Sequence, residues 1–359
     1  MPGKSLILDH HINECTKKIK QGQHVLLTTQ DDEALRVISS KTIDEAKVLH
    51  CKINFALAGS PESVIKIVFN RIENFILNGL SITKKSTEKL LKSFALFTPE
   101  IILSASGTRI KLHEPTGYSI EKTIECALLA LDDLSKQLNK KVCVTLEEFQ
   151  ILFGLKELDG LADNLKKILK KSTRIQFILF GSEKDKVLEA YGLIKNDQLH
   201  KLTFNRPKSA DLARLIDNQP KESKFKNIKK SQLQSVMNLT QGHLLYTDIL
   251  INHITKQNKF TDADLTVYWH ELALSKQHEI NKQLLSLSNN QKIAINHLAQ
   301  NPTNQPFNVR NMPIHMNAAS YMQAVKKLIK LDLLHVDYLD IYRLKDPTYE
   351  YYLNHILKM

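Results

Sequence analysis

The sequence has no apolar run approaching the roughly 18 residues that cross a bilayer as a helix, and no membrane partner is expected. Its opening residues, Met1 to Asp9, carry one lysine and a three-residue apolar cluster, which is not the pattern of a secretion signal. Cysteine is scarce and dispersed. Cys15, Cys51, Cys126 and Cys143 share no paired metal spacing and read as reduced, mostly buried thiols of a cytoplasmic protein. Histidine supplies no metal site either. His10 and His11 are adjacent and point different ways on a helix, and His243, His253 and His270 fall in separate segments without an acid at regular spacing. No internal repeat, low-complexity linker or Gly-x-Ser-x-Gly elbow occurs, so hydrolase and metalloenzyme chemistry lack support.

What remains is an ordinary folded composition: 359 residues, 42% hydrophobic and 25% charged, enough for two or three domains. The formal charge is +12 and unevenly spread. Residues 201–260 hold 11 Lys/Arg against 4 Asp/Glu, and Lys221 to Lys230 alone has five lysines and one acid. Such a face can meet phosphate backbones or acidic partners, or can simply be a lysine-rich solvated surface.

The N-terminal half alternates strand and helix signals. After a weak helical pattern over 5–21, Gly22 to Thr29 reads as a buried strand, 31–47 as a helix and Val48 to Ala58 as a strand. Ser60-Pro61-Glu62 then starts a helix with Val64, Ile67, Val68, Ile72, Phe75 and Ile76 on one face. A helix over 83–97, a hairpin over 98–113 around Ser-Gly and a helix over 119–138 follow. Lys140 to Leu152 is the central stretch. Its apolar, β-branched run Val142 to Leu146 predicts a parallel strand buried on both faces, ending at Glu147-Glu148-Phe149-Gln150. A helix over 157–171, a strand over 174–182 and a strand over 199–204 complete a doubly wound, five-stranded parallel α/β sheet.

Beyond Pro207 the strands cease. Residues 209–283 read as short helices, one of them 231–257 with an interruption at Gly242. From Ser288 the order is a helix over 291–300, a short helical piece over 308–314, a helix over 317–332, a hairpin over 333–346 and a helix over 348–358. Three helices and a hairpin make a winged-helix arrangement. In the third helix Ala318, Met322, Val325, Leu328 and Ile329 are expected inward.

Five features in this order resemble the AAA+ superfamily, specifically its signal-transduction-like (STAND) or archaeal-ATPase branch with a C-terminal winged helix. They are the Gly22–Thr29 strand, the strand ending Glu147-Glu148-Phe149-Gln150, the strand ending Phe180-Gly181-Ser182, the segment Leu239-Thr-Gln-Gly-His243, and a winged helix ending Arg343-Leu-Lys-Asp-Pro347. The resemblance covers the whole chain. It implies a P-loop-NTPase-like core over 1–206, an all-α lid over 207–287 and a winged helix over 288–359. It also implies that Glu147 and Glu148 match the magnesium and water-orienting positions, and that Ser182 matches the sensing position. Glu147 stands where such sites usually carry Asp, and its longer arm disturbs octahedral magnesium geometry. Lys166, Lys167, Lys170 and Lys171 resemble the family's finger arginines only in charge.

The departure lies in the phosphate loop. The family's first strand runs into G-x-x-x-x-G-K-[ST], whose amides and lysine cradle phosphates. Aligned from the strand, Thr29 and Ala34 occupy the glycine positions, Leu35 the lysine position and Arg36 the hydroxyl position. Asp31, Asp32 and Glu33 sit where phosphates would lie. Two like charges at about 4 Å repel by roughly 1 kcal/mol in water and about 4 kcal/mol near a protein surface. Arg36 comes one place late, on a stiffer fork. Asp31 and Asp32 read instead as caps of an ordinary surface helix. The expectation is therefore no cofactor, the alternative being ATP with magnesium bound by a residual ATPase that uses Glu147, Glu148 and Ser182.

The remaining functional candidate is the winged helix. Asn317, Ser320, Tyr321, Gln323, Lys326, Lys327 and Lys330 are expected on the outward face of its third helix, polar residues toward base edges and lysines toward phosphates. Against this, residues 288–359 hold 8 Lys/Arg and 5 Asp/Glu, and the wing tip carries Asp337, Tyr338, Leu339 and Asp340. Double-stranded DNA, a protein partner and an active AAA+ paralogue all stay open as partners of a catalytically degenerate binding or regulatory module.

Overall fold

The apolar, β-branched runs of the N-terminal half become short strands because their side chains fill both faces of one sheet. The computed structural model describes residues 5–80, 84–104, 107–156, 158–256, 261–337 and 340–357. Ser106 of the expected hairpin turn, wing-tip residues Tyr338 and Leu339, and the end positions 83, 157, 257 and 358 of four expected helices lie outside the described residues. The strands are β1 His24–Thr29, β2 Leu49–Asn54, β3 Glu100–Ser104, β4 Gly107–Lys111, β5 Val142–Glu147, β6 Ile175–Phe180, β7 Leu199–Phe204, β8 Leu334–Val336 and β9 Tyr342–Leu344. Five of them form one sheet in the order β2-β5-β6-β1-β7, every pair parallel. β1, β5 and β6 are buried at every position, as both-faced parallel strands must be. β3 and β4 make a separate antiparallel hairpin.

Contacts divide the chain into two units, one spanning His10–Asn205 and the other Arg206 onward together with the segment ending at Asp9. The first unit is built on the sheet. Its core gathers Val142, Val144 and Leu146 of β5 with the inward faces of the helices Pro61–Gly79, Ile120–Gln137 and Leu161–Lys171. Ser60 and Ser63 form a reciprocal capping box that starts the first of these with Pro61 at its opening position. Asp132, buried in the second, accepts from the backbone N–H groups of Thr173, Arg174 and Ile175 at 2.8 to 3.2 Å and so fixes where β6 begins.

The second unit is helical: Ser209–Asp217, Lys230–Thr240, Leu244–Ile254, Asp262–Ser275 and Gln277–Ser286 precede the winged helix. The expected interruption falls between the second and third of these, where Gln241 and Gly242 are both left-handed. A Cβ on Gly242 would lie 2.6 Å from the Pro207 carbonyl oxygen, so only glycine fits. Asp248 accepts from Ser5 Oγ at 2.7 Å and from the Leu6 and Ile7 N–H groups, which ties that early segment to the helix Leu244–Ile254.

The winged helix comprises Asn289–Gln300, a single 3-10 turn at Val309–Asn311, Ala318–Lys330 and the antiparallel pair β8–β9, with Thr303 joined to Tyr342 by a single antiparallel bridge. Its own core sets Tyr321, Val325 and Leu328 against Ala294, Ile295 and Leu298. Here the expected helix phase is corrected. Tyr321 is buried, not outward. Ala318, Met322 and Ile329 are exposed, not inward. Two stripes at helical spacing compete for the core, and the one carrying the aromatic ring removes more apolar area from water. The closing helix is Pro347–Tyr351 continued by a wider turn over Tyr352–Leu357. Among the described residues, no helix is long and apolar enough to cross a membrane.

Candidate functional site

β1 turns into its helix over only two residues. β1 ends at Thr29 and the helix Asp32–Ala46 begins after Gln30 and Asp31. Thr29 Oγ1 accepts from the Asp31 N–H at 3.3 Å, and the Asp31 carbonyl already accepts from the Ala34 and Leu35 N–H groups. The amides of Asp31, Ala34 and Leu35, three of those that would line a phosphate loop, are thus engaged by the turn and the first helical hydrogen bonds. Ala34 and Leu35 are buried and face the core, so neither can present a group to a ligand. The expectation that Asp31 caps a surface helix is corrected: Asp31 holds the N-cap position, but its side chain makes no capping hydrogen bond and is fully buried. Asp32 and Glu33, half-buried in the first turn, favour the positive end of the helix dipole.

Arg36 does not stand alone. Its Nε donates to Glu147 Oε1 at 2.7 Å, while Lys52 Nζ lies 2.8 Å from Glu147 Oε2. Glu147 is 1% exposed, at the end of β5, and both cations are about half exposed. Burial pulls the Glu147 carboxyl up, but the hydrogen bonds from Lys52 and Arg36 outweigh it and hold it below the usual carboxylate range. The Glu147 hydrogen bond in turn raises the Arg36 pKa, with burial opposing. Both oxygens of the carboxylate at the family's magnesium position are therefore engaged by side-chain cations. Sequence reasoning missed Lys52. Register explains it: β2 and β5 pair Asn54 with Glu147, so Lys52 sits two residues back on the same face. A lysine inside a strand of the core was the available signal.

Glu148 points to the neighbouring strand. Its backbone is left-handed at φ 57°, uncommon for a residue with a side chain and costing on the order of 1 kcal/mol or more. The kink is stabilised by the Glu148 N–H donating to the Phe180 carbonyl at 2.8 Å. Glu148 Oε2 then accepts from Ser182 Oγ at 2.8 Å, from the Ser182 N–H at 3.1 Å and from Gln150 Nε2 at 2.8 Å. Gln150 lies over Gly181, where a Cβ would fall 1.9 Å from its Oε1. The structure thus brings Arg36, Glu147, Glu148 and Ser182 to adjoining strand ends.

Of the lysines of the helix Leu161–Lys171, Lys166 pairs within the helix with Asp163 at 3.5 Å and Lys171 pairs with Glu125 of the helix Ile120–Gln137 at 3.8 Å. Among the described residues, no group of three or more His, Cys, Asp or Glu side chains is placed to hold a metal ion.

In the winged helix, Asn317, Gln323, Lys326, Lys327 and Lys330 are exposed and Ser320 is half-buried. Asn317 caps the helix, accepting from the Ser320 N–H at 2.8 Å. Ser320, Gln323 and Lys327 line a shallow groove of about 280 Å³ with Ser288 and Gln291 of the preceding helix. Tyr321 faces away from it, its hydroxyl buried and its pKa pushed up to about 12 by burial. The acidic wing is partly neutralised: Asp337 Oδ2 accepts from Arg343 Nε at 3.1 Å, and Arg343 also lies 3.7 Å from Glu350.

No protein-family model matches this sequence, and no curated protein matches it. Solved structures do. The Walker-type ATPase of Pyrococcus abyssi is similar over 95% of this chain and 94% of its own, at 13% identity and a TM-score of 0.53. The ORC2 protein of Aeropyrum pernix is similar over 95% and 89%, at 12% identity and 0.42. The RuvB Holliday junction branch migration motor of Thermotoga maritima is similar over 96% and 93%, at 8% identity and 0.37. Identity this low speaks to fold alone, and the first of the three carries that assignment. Its near-complete coverage agrees with the parallel five-stranded sheet and helical second unit, so this chain has a P-loop-ATPase-like fold.

Proposed function

We propose that this chain is a nucleotide-independent member of the signal-transduction-like AAA+ group, using its fold as a scaffold to bind duplex DNA through the lysine-rich lid segment and the winged helix. One observation carries the reading: the Glu147 carboxylate is held between Arg36 and Lys52, beside a β1-to-helix turn of two residues. A nucleoside triphosphate with magnesium does not fit these residues. It would need a glycine-rich loop with free amides, a lysine aimed at the phosphates and a carboxylate available to the metal. Here the Asp31, Ala34 and Leu35 amides are already engaged, the lysine position is a buried leucine and the carboxylate is doubly paired.

The test is calorimetry and thermal shift of the full chain with ATP, ADP and magnesium. No stabilisation is expected, whereas a ligand at 100 times its Kd would add about 2.7 kcal/mol. In parallel, affinity for duplex DNA is expected to fall steeply as salt rises. Binding that ignores salt, or no binding, would leave a protein partner, including an active AAA+ paralogue, as the function of this surface.

A second reading has one observation in its favour. The left-handed Glu148 hydrogen-bonded to Ser182 resembles a poised water-orienting pair. Magnesium-dependent phosphate release abolished by Glu148→Gln would establish that residual ATPase; unchanged release in the variant would assign it to a contaminant.

A further inference from the structure

Resting on the duplex-DNA reading above, we propose that the exposed face of the helix Ala318–Lys330 reads A·T base pairs through the major groove. That face is divided along the helix axis. Its N-terminal half presents Ala318, Ala319, Met322 and Gln323, and its C-terminal half presents Lys326, Lys327 and Lys330. A recognition helix enters the groove with its N-terminal residues against base edges, while cations further along meet phosphates. In the major groove an A·T pair offers the adenine N7 acceptor and N6 donor together with the thymine methyl. The Gln323 amide, one acceptor and one donor in a fork, matches the adenine edge, and the alanines and Met322 match the methyl. Guanine is read by arginine or lysine; the helix Ala318–Lys330 holds no arginine, and its lysines lie in the C-terminal half, where they meet phosphates.

The other groups nearby contribute little to base reading. Asn317 uses its side-chain oxygen on the Ser320 N–H, and Tyr321 is buried. The wing supplies acids rather than a minor-groove cation: Asp337 is paired with Arg343, and Asp340 is exposed. Readout therefore falls to the helix. Ala319 to Gln323 covers four rises of about 1.5 Å, or about 6 Å. At about 3.4 Å per base step, that is two or three adjacent pairs.

The experiment measures binding of the full chain to four duplexes of equal length whose central segment is A·T, G·C, A·U or inosine·C, each over a salt series. A·T is expected to bind about ten-fold more tightly than G·C, the scale of one good bidentate contact. A·U, lacking the methyl, is expected to be intermediate. Inosine·C presents the G·C major-groove face with an A·T-like minor groove, so it is expected to behave as G·C. Gln323→Ala should erase the A·T preference while leaving the salt slope unchanged, and Gln323→Arg should shift preference toward G·C. The side chain is exposed, so neither variant endangers folding.

Salt-dependent binding that is equal on A·T and G·C would overturn base reading and leave the DNA function standing. Inosine·C binding as tightly as A·T would place the readout in the minor groove and also overturn it. An absence of binding to every duplex would overturn the DNA function itself and the base reading with it.

Discussion

Glu147 shows how a single buried side chain sets local chemistry. With Arg36 and Lys52 on its two oxygens, the carboxylate stays ionised inside the protein. Arg36→Met or Lys52→Met alone leaves one cation and is expected to cost about 1 kcal/mol, whereas the double variant strands the charge and should cost about 3–5 kcal/mol. Urea unfolding of the four proteins would give that non-additivity directly. Because the folded carboxyl titrates below its ordinary value of 4.5, this contribution is fully present above that pH. It is lost as pH falls through the lower folded value. Nearby, Gly181→Ala would push the Gln150 amide off Glu148, breaking its 2.8 Å hydrogen bond. A loss of about 1–3 kcal/mol in unfolding free energy is expected, since buried polar groups are left without partners.

At the scale of elements, the helix Ala318–Lys330 has two apolar stripes that share Val325 and Leu328, and only packing chose between them. Among the described residues the buried Tyr321 hydroxyl has no hydrogen-bond partner, so Tyr321→Phe is expected to leave stability equal or raise it by up to about 1 kcal/mol. The same substitution should leave DNA affinity unchanged, which a titration would check. The two-residue turn after β1 works at this scale too. Asp32 and Glu33 suit a helix start, so a helix forms at once where a phosphate loop would require glycines.

For the whole molecule, charge and titration give two expectations. Alanine at Lys326, Lys327 and Lys330 together should reduce the slope of log affinity against log salt by about three, one unit per lost phosphate contact. Stability should also fall as pH drops below about 6.5, because burial holds the imidazoles of His11, at about 4, and His24 below their ordinary value. A base with a depressed folded pKa contributes stability above its unfolded pKa and loses it as pH falls. Raised carboxyls act in the opposite sense, Asp248 and Glu350 both pushed up by burial and both gaining stability on protonation. A melting-temperature series from pH 7 to 5 should decline, and His11→Phe, whose ring would lie against Phe204, should decline less.

By itself the sequence determined the five strands, the break at Gly242, the winged-helix order and the position of the two glutamates at one strand end. Strand composition, helical spacing and capping are local, and local rules reach that far. That Thr29 and Ala34 stand at the glycine positions of a phosphate loop can also be read directly. Tertiary structure alone decided that Lys52 completes the Glu147 pair, that Gln150 lies over Gly181, that Asp31 is buried and that Tyr321 points inward. Each depends on strand register or on which of two faces removes more surface from water, and those are settled between segments far apart in the chain.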